Sequence, residues 1–338
     1  RMISLRRDMP NLLARTPLLR EALATDDDRE WTRALLSSWP RELAEVEFLE
    51  ERALRGAQSP AEICAVLGYI ARVKCTRRLG QVLELLQHPD AKVRLAAVSR
   101  VVTLQWAEAA PILTRLLREE NSPVLDEIGQ MPADVMRPHL LRLLSDNKDV
   151  VRERAVRLLR HFRCAELTPV FIRLFSDPDD CVRVEAILAL QELEAAEARP
   201  SIRRLLRDPS SKVRHTAADA LAALQDFDAI PDLMAAIRTG HDWEISAFVR
   251  ALAALDAREA AADIEALLSI EDADCCVRLE AIKALASLRA AQAAPRLAVL
   301  LKEDCEPIRR AAACALRDLC DPRYVDTDVA DELDSRPR

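Results

Sequence analysis

The sequence predicts an all-α protein whose helices form an α-solenoid, and three observations lead to this fold class. Aromatic residues make up only 4% of the 338 residues and there are five glycines, as expected of a helical protein. The stretch SKVRHTAADALAAL at residues 211–224 places Ala217, Ala220, Leu221 and Leu224 on one helix face. Similar stretches recur along the chain, which indicates stacked helical repeats.

Two sequence markers run in phase through the repeats. The first is a Val-Arg or Ile-Arg pair, found at 93–94, 151–152, 182–183, 213–214, 277–278 and 308–309. The second marker occurs at Pro111, Pro138, Pro169, Pro200, Pro231, Ala262 and Pro295. Each proline is predicted to lie in the first turn of a helix, where its missing N–H costs nothing. Consecutive Val-Arg pairs are mostly about 31 residues apart.

Each repeat is therefore predicted to contain a helix A that begins near the proline, a tight turn with aspartate, and a helix B that carries Val-Arg. Counting the helix A markers from Gly80 to Pro295 gives eight repeats. Small residues recur in the B helices and make that layer thin, which favours curvature toward it. They are Ala186, Ala189, Ala217, Ala220, Ala281, Ala284, Ala312 and Ala315.

This pattern resembles the HEAT repeat, in the short PBS-lyase HEAT-like form with an Asp-containing turn, Val-Arg, and Ala and Leu at fixed steps. The resemblance covers residues 57–320. It implies a right-handed superhelix of HEAT-like helix pairs, with A helices outside and B helices lining a concave face. It also implies that the repeated arginines form a structural ladder by bonding turn carboxylates such as Asp90, Asp179 or Asp274.

Three regions depart from the repeat. Residues 1–56 lack the period but contain helical stretches, so we expect an N-terminal helical cap on the solenoid. Within residues 121–137, Gly129 and Pro132 interrupt a B helix, which predicts a kink or a shortened helix. This segment is either a neutral irregularity or a hinge or pocket. Residues 321–338 are predicted to form an acidic C-terminal tail.

Composition restricts the location and the partners. The net charge of −7 argues against a nucleic-acid-binding protein. Nine cysteines without Cys-x-x-Cys spacing indicate reduced thiols in a cytoplasm, with a disulfide framework as the alternative. We expect a bacterial protein. The basic cluster at residues 1–7 is interpreted either as a cationic helix start or as the cytoplasmic flank of a transmembrane anchor upstream of Arg1. The second interpretation would place the protein at the inner face of the membrane.

The sequence contains no recognisable catalytic motif. The histidines His88, His139, His161, His215 and His241 lack the spacing of metal ligands on one helix. The activity of HEAT-like deoxyhypusine hydroxylases is therefore not expected. The adjacent Cys275 and Cys276 are interpreted as a chance pair of turn thiols, with a redox or metal role as the alternative. We predict a protein that is not an enzyme, with no cofactor, no metal and no catalytic residue.

The predicted function depends on the exposed positions of the B helices, which carry cations and scattered aliphatic side chains. We expect this concave surface to bind an acidic, partly apolar segment of a protein partner, so that the protein acts as a scaffold or adaptor. A merely solvated surface is the alternative. The predicted partner-binding residues are Arg157, Arg160, His161, Leu188, His215, Arg250, Leu279, Lys283, Arg310 and Arg317.

A second candidate surface lies on the A helices. Four of them carry arginine at one equivalent position, namely Arg115, Arg142, Arg173 and Arg204. This row is predicted to contact anionic lipid or an acidic partner, unless the nearby Asp146, Asp177 and Asp208 pair with it.

The resemblance also implies an alternative to the scaffold or adaptor function, from a different functional class. This alternative is an accessory protein or chromophore lyase of the phycobilin-lyase type.

Overall fold

A computed structural model describes residues 79–118, 125–239, 242–269 and 275–319, together with the helical positions 60, 63, 64 and 67. The expected N-terminal cap and the acidic tail lie outside these residues. The described part of the chain is built from helices and contains no strand, which confirms the all-α prediction. Within it, no helix has the length and apolar character needed to cross a bilayer.

Sixteen α-helices between residues 79 and 319 alternate along the described chain between eight A helices and eight B helices. The A helices are α1 (Leu79–Leu85), α3 (Ala110–Leu116), α5 (Ala133–Leu143), α7 (Thr168–Arg173), α9 (Arg199–Arg204), α11 (Ile230–Thr239), α13 (Ala261–Leu267) and α15 (Ala294–Leu300). The B helices are α2 (Ala91–Thr103), α4 (Leu125–Ile128), α6 (Asp149–His161), α8 (Asp180–Glu192), α10 (Ser211–Ala223), α12 (Asp242–Ala254), α14 (Cys275–Ser287) and α16 (Glu306–Asp318).

The proline marker predicts where most A helices begin. Pro111, Pro169, Pro200 and Pro295 each lie at the first or second position of an A helix, as expected. The prediction was wrong for Pro138, which lies inside α5. The reason is that α5 begins at Ala133, directly after Pro132, so that the helix has already formed its first turn before it reaches Pro138.

The chain divides into two compact units, Arg1–Phe162 and Arg163–Arg338. In the first unit, α1 packs on α2, α3 packs on α5, and α5 packs on α6. In the second unit, each A helix packs on the B helix that follows it, and α8, α10, α12, α14 and α16 pack side by side in that order. The B-helix alanines predicted from the repeat are all buried, which lets neighbouring B helices approach closely.

Three Val-Arg arginines of the second unit, Arg183, Arg214 and Arg278, each bond a carboxylate of the next repeat. Arg183 Nη1 donates to the carbonyl oxygens of Asp177 at 2.8 Å and Pro178 at 3.2 Å, within its own turn. Its Nε and Nη2 donate to the two carboxylate oxygens of Asp208 in the next repeat, at 2.9 and 2.7 Å. Two further pairs, each with two such hydrogen bonds, join Arg214 to Glu244 and Arg278 to Glu303.

Two of the three carboxylates named for this ladder, Asp90 and Asp179, do not bond its arginines. Asp90 Oδ1 accepts from the backbone N–H of Lys92, and Asp179 Oδ1 accepts from that of Val182, so each of these aspartates caps a B helix. The physical reason is position, since both precede the marker valine by three residues and lie against the free N–H groups of the helix. Asp208 and Glu303 lie earlier in their turns and bond the preceding repeat. Asp274 lies outside the described residues.

The predicted irregular segment coincides with the shortest B helix of the described chain. Helix α4 spans only Leu125–Ile128 and packs against α2 and α6. Gly129 follows it, and a Cβ atom added at Gly129 would lie 3.2 Å from Cδ2 of His161 on α6. The absence of a side chain at Gly129 therefore allows the end of α4 to approach α6.

Six residues after the B helices adopt a left-handed backbone although none of them is glycine. They are Gln105, Arg163, Glu194, Gln225, Asp256 and Arg289, with φ between 48° and 54°. This conformation costs an L-residue about 1–2 kcal/mol. These six repeats therefore each carry a small backbone strain at an equivalent position, two residues after the end of helix B.

We expect Glu194→Gly to raise the free energy of unfolding by about 0.5–1 kcal/mol, because the relief of strain exceeds the entropy that glycine gains in the unfolded chain. Urea denaturation followed by circular dichroism measures this change. The control is Glu197→Gly, at an exposed position without positive φ, which should lower the stability. A Glu194→Gly protein no more stable than the wild type would contradict the prediction.

Candidate partner-binding surface

The B helices of the second unit leave a row of side chains partly or fully exposed. We call this row the B-helix face, and it consists of Val184 and Leu188 on α8, His215 and Asp219 on α10, Arg250 on α12, Leu279 and Lys283 on α14, and Arg310 and Arg317 on α16. Because these five helices pack side by side, the structure brings most of the predicted partner-binding residues onto consecutive repeats of one unit.

Three side chains of the B-helix face form a bonded cluster that joins α10 to α12. Arg250 Nη2 lies 2.8 Å from Oδ1 and 3.1 Å from Oδ2 of Asp219. His215 Nε2 lies 3.4 Å from Asp219 Oδ2 on the same helix. Burial alone would raise the pKa of Asp219, but hydrogen bonds from His215 and Arg250 outweigh that effect and hold the pKa below its ordinary value.

Removing the positive charge with Arg250→Gln should raise the pKa of Asp219. A carboxyl whose pKa is lowered by folding stabilises the protein above its unfolded-state pKa, and that contribution is lost as the pH falls through the folded-state pKa. In the variant this contribution should therefore be smaller, and its loss should be complete at a higher pH. A carbon-13 NMR titration of the Asp219 carboxyl measures the shift, and Lys283→Gln on α14 is the control that should leave it unchanged. An unaltered titration in Arg250→Gln would contradict the assigned pairing.

Four of the six arginines and lysines predicted for the binding surface lie within 4 Å of a carboxylate. The pairs are Arg157–Glu153 at 2.6 Å, Arg250–Asp219 at 2.8 Å, Lys283–Glu280 at 3.4 Å and Arg310–Glu306 at 3.9 Å. Three of the four pairs join residues three or four apart on one helix, a spacing that places both side chains on the same face. The surface is therefore a mixture of ion pairs and aliphatic side chains.

Some predicted residues lie apart from the B-helix face. Arg157, Arg160 and His161 are on α6, which belongs to the first compact unit. Arg160 is half-buried, whereas His161 is exposed and its ring centre lies 6.0 Å from that of Phe162. Arg317, by contrast, belongs to the B-helix face; it is in the last turn of α16, where its Nη2 lies 3.9 Å from Cys314 Sγ.

The aliphatic side chains of the B-helix face are half-buried at positions where other repeats carry polar residues. Val184 and Leu279 occupy the position that His215 occupies on α10, and Leu188 occupies that of Asp219. Each leaves part of its apolar surface open to solvent between charged neighbours. This alternation fits a partner segment that has both apolar and charged side chains.

The row of A-helix arginines, Arg115, Arg142, Arg173 and Arg204, is exposed in both compact units. In the part of the chain that the structure describes, none of the four makes an ion pair. Two of the aspartates expected to pair with this row bond other arginines. Asp146 lies 2.8 Å from Arg118, and Asp208 bonds Arg183.

The second unit contains a cleft of about 500 Å³ that the repeat pattern did not predict. Its lining includes residues of α11 and α12 and the buried Arg214–Glu244 pair. The lining residues are Leu206, Arg207, Arg214, Asp232, Ala235, Ala236, Thr239, Glu244 and Phe248. One signal for it was available, because Glu244 stands where the other repeats carry the marker valine or isoleucine.

One group of described residues brings three potential metal-ligand atoms within 4.8 Å of one another, namely Asp179, Asp180 and Cys181. Asp179 caps α8, and Asp180 Oδ2 accepts from the Ser210 hydroxyl at 2.7 Å. That hydrogen bond holds the pKa of Asp180 below its ordinary value. These carboxylates therefore already have structural partners at the start of α8 and in the next repeat.

Solved structures of low sequence identity share this arrangement of helices. Kap121p bound to Nup53p matches with a TM-score of 0.68 at 15% identity, over 95% of this chain and 43% of that chain. Kap121p bound to the extreme C-terminus of the protein phosphatase Cdc14p matches with a TM-score of 0.67 at 14% identity, over the same shares. The chain thus spans less than half the length of Kap121p.

A weaker match is the complex of CpcE and CpcF of phycocyanin lyase from Nostoc sp. PCC7120. Its TM-score is 0.35 at 18% identity, over 72% of this chain and 96% of that chain. No curated protein matches the sequence.

The sequence pattern of HEAT repeats matches three segments of the chain, residues 137–198, 169–253 and 264–327. Together these segments cover more than half of the chain, and they coincide with helix pairs in which Val-Arg or its equivalent lies in the first turns of helix B. The resemblance inferred from the two markers is confirmed. The chain belongs to the HEAT-repeat family.

Proposed function

We propose that this protein is a non-catalytic scaffold or adaptor that binds an acidic, partly apolar segment of a protein partner through the B-helix face. The observation that carries this proposal is the recurrence of exposed charged and aliphatic side chains on five consecutive B helices of the second unit. Stacked repeats extend such a surface one helix at a time, which suits recognition of an elongated segment.

The chemistry of the B-helix face suits an acidic and partly apolar ligand. Leu188 and Leu279 offer partly exposed apolar surface whose burial would stabilise a complex. The ion pairs of Arg250 and Lys283 are exposed, and such pairs contribute at most about 1 kcal/mol each. A partner carboxylate can therefore replace Asp219 or Glu280 beside its cation at little cost.

Two further observations favour a protein as the ligand. Kap121p, whose fold is similar, was solved bound to Nup53p and to the extreme C-terminus of Cdc14p, which are both proteins. The net charge of −7 disfavours a nucleic acid. A cytoplasmic location is part of the proposal, because nine cysteines without a disulfide-type spacing favour a reducing compartment.

The row of A-helix arginines is a second candidate surface, favoured by its exposure and by the absence of ion pairs at all four positions within the described residues. We propose that its two members in the second unit, Arg173 and Arg204, contact anionic lipid headgroups. Cosedimentation with phosphatidylserine vesicles would then be lost in Arg173→Gln/Arg204→Gln and retained in Arg250→Gln. Equal sedimentation of both variants would contradict this role.

Photo-crosslinking in cells of the native host tests the main proposal. Benzoylphenylalanine is placed at Leu188 or Leu279 on the B-helix face, and at Arg173 or Arg204 on the A helices as matched controls. We expect the two B-helix positions to give one common protein adduct that the control positions do not give. Adducts formed only from the A-helix positions, or no adduct from any position, would contradict the proposed binding surface.

A further inference from the structure

Two cysteines of consecutive repeats face each other in the second unit. The Sγ atoms of Cys275 and Cys305 are 3.6 Å apart, although the residues are 30 positions apart in sequence. Cys275 is the first residue of α14, and Cys305 directly precedes α16. Both side chains are half-buried. A disulfide has an S–S length of about 2.05 Å, so the two sulfur atoms need to approach by only about 1.5 Å.

The packing around these thiols holds the two repeats in place. Helices α14 and α16 pack against each other, and Arg278 Nη2 lies 2.6 Å from Glu303 Oε1 across the same junction. The hydrogen bond from Arg278 holds the pKa of Glu303 below its ordinary value, so the ion pair persists at neutral pH. The proximity of the thiols thus arises from a bonded junction and not from a free loop.

The neighbouring cysteine differs in its exposure. Cys276 is exposed, whereas Cys275 is half-buried and its sulfur lies 3.6 Å from that of Cys305. Cys314 is also exposed, on a later turn of α16. Cys275 and Cys276 are adjacent in the sequence, whereas the structure places the thiol of Cys275 close to that of Cys305 in the next repeat.

We propose that Cys275 and Cys305 form a redox modification site, which a hydroperoxide oxidises to a disulfide between the last two repeats of the described chain. One sulfur attacks the peroxide oxygen, the O–O bond breaks, and a sulfenic acid and one water form when the oxidant is hydrogen peroxide. The second sulfur then attacks the sulfenic sulfur, the S–S bond forms, and the S–O bond breaks with release of another water. A dithiol reductant reverses the reaction by thiol–disulfide exchange.

The cross-link would restrain the final repeat. It closes the segment between residues 275 and 305, which contains α14 and α15, and so removes conformations in which α16 separates from α14. Repeat proteins are stabilised by contacts between neighbouring repeats, so a repeat opens when these contacts are lost. Oxidation at this site therefore converts a junction held by packing and one ion pair into a covalent one.

Non-reducing peptide mapping tests the site. The purified protein is treated with hydrogen peroxide, remaining thiols are alkylated, and tryptic peptides are analysed by mass spectrometry. We expect residues 259–278 linked to residues 303–309, and loss of the link with dithiothreitol. The control Cys276→Ser should retain the link, whereas Cys275→Ser and Cys305→Ser should lack it. A link that persists in Cys275→Ser, or a wild-type protein that gives no link, would overturn the proposal.

Hydrogen exchange shows whether the disulfide restrains α16 or forms without such an effect. In Cys276→Ser, oxidation should slow the exchange of amides in α16 at least tenfold, because opening of the last repeat is restricted. The same treatment of Cys305→Ser should leave this exchange unchanged. Equal exchange in oxidised and reduced Cys276→Ser would overturn the proposed restraint, even if the disulfide forms.

Discussion

Replacing Arg183 with alanine is expected to lower the free energy of unfolding by about 3–5 kcal/mol. Arg183 and Asp208 are only 8% and 6% exposed, and they are joined by two short hydrogen bonds. The substitution leaves the carboxylate of Asp208 buried without its cation, and it also removes the donors to the carbonyl oxygens of Asp177 and Pro178. Loss of a buried partner costs far more than loss of an exposed one.

Urea denaturation followed by circular dichroism measures this effect. The matched control is Arg207→Ala, in which an arginine that is 82% exposed loses Asp232 of the next repeat. Such an exposed pair should be worth at most about 1 kcal/mol. Equal destabilisation by the two substitutions would show that burial does not decide the strength of these inter-repeat bonds.

Arg214→Ala should also destabilise the protein by about 3 kcal/mol or more, for a related reason. Its partner Glu244 is 1% exposed and stands where the neighbouring repeats have buried valines, Val213 and Val277. Without Arg214 the glutamate is a buried charge that lacks a cation. Adding Glu244→Val should then recover about 2 kcal/mol, because the second substitution replaces that charge with the apolar residue of the repeat.

The four members of this cycle are compared by urea denaturation. Glu244→Val alone should cost less than Arg214→Ala alone, because Arg214 is 20% exposed and can turn toward water. A double variant as unstable as Arg214→Ala would contradict the view that the unpaired carboxylate causes the loss.

The sequence predicted the helices of the second unit well because their signals are local. Val182, Val213, Val277 and Ile308 are all buried on B helices, as the repeated Val-Arg or Ile-Arg pair indicates. The proline rule failed at Pro138, because an isolated proline does not show whether an earlier turn has already begun the helix. Here Pro132 supplies that earlier start.

Contacts between repeats were harder to predict than helices. The turns carry acidic residues at two positions, three and five residues before the marker valine. Asp208, five residues before its marker, bonds an arginine of the preceding repeat, whereas Asp179, three residues before its marker, does not. Only the stacking of the repeats determines this difference. The exposed position of Leu188 followed from the helical period. The Arg250–Asp219 bond could not be predicted from the helical period, because it depends on the distance between two helices.

Affinity for the partner identified by photo-crosslinking tests the central claim most directly. Isothermal titration calorimetry compares the wild type with Leu188→Ser/Leu279→Ser, which removes apolar surface from the B-helix face. Val299→Ser is the control, since Val299 is an exposed aliphatic residue on the A helix α15 and is 58% exposed. We predict that the double variant binds at least about tenfold more weakly, as expected for the loss of two buried apolar contacts, while the control binds like the wild type. Equal affinities of the double variant and the wild type would contradict the assignment of partner binding to the B-helix face.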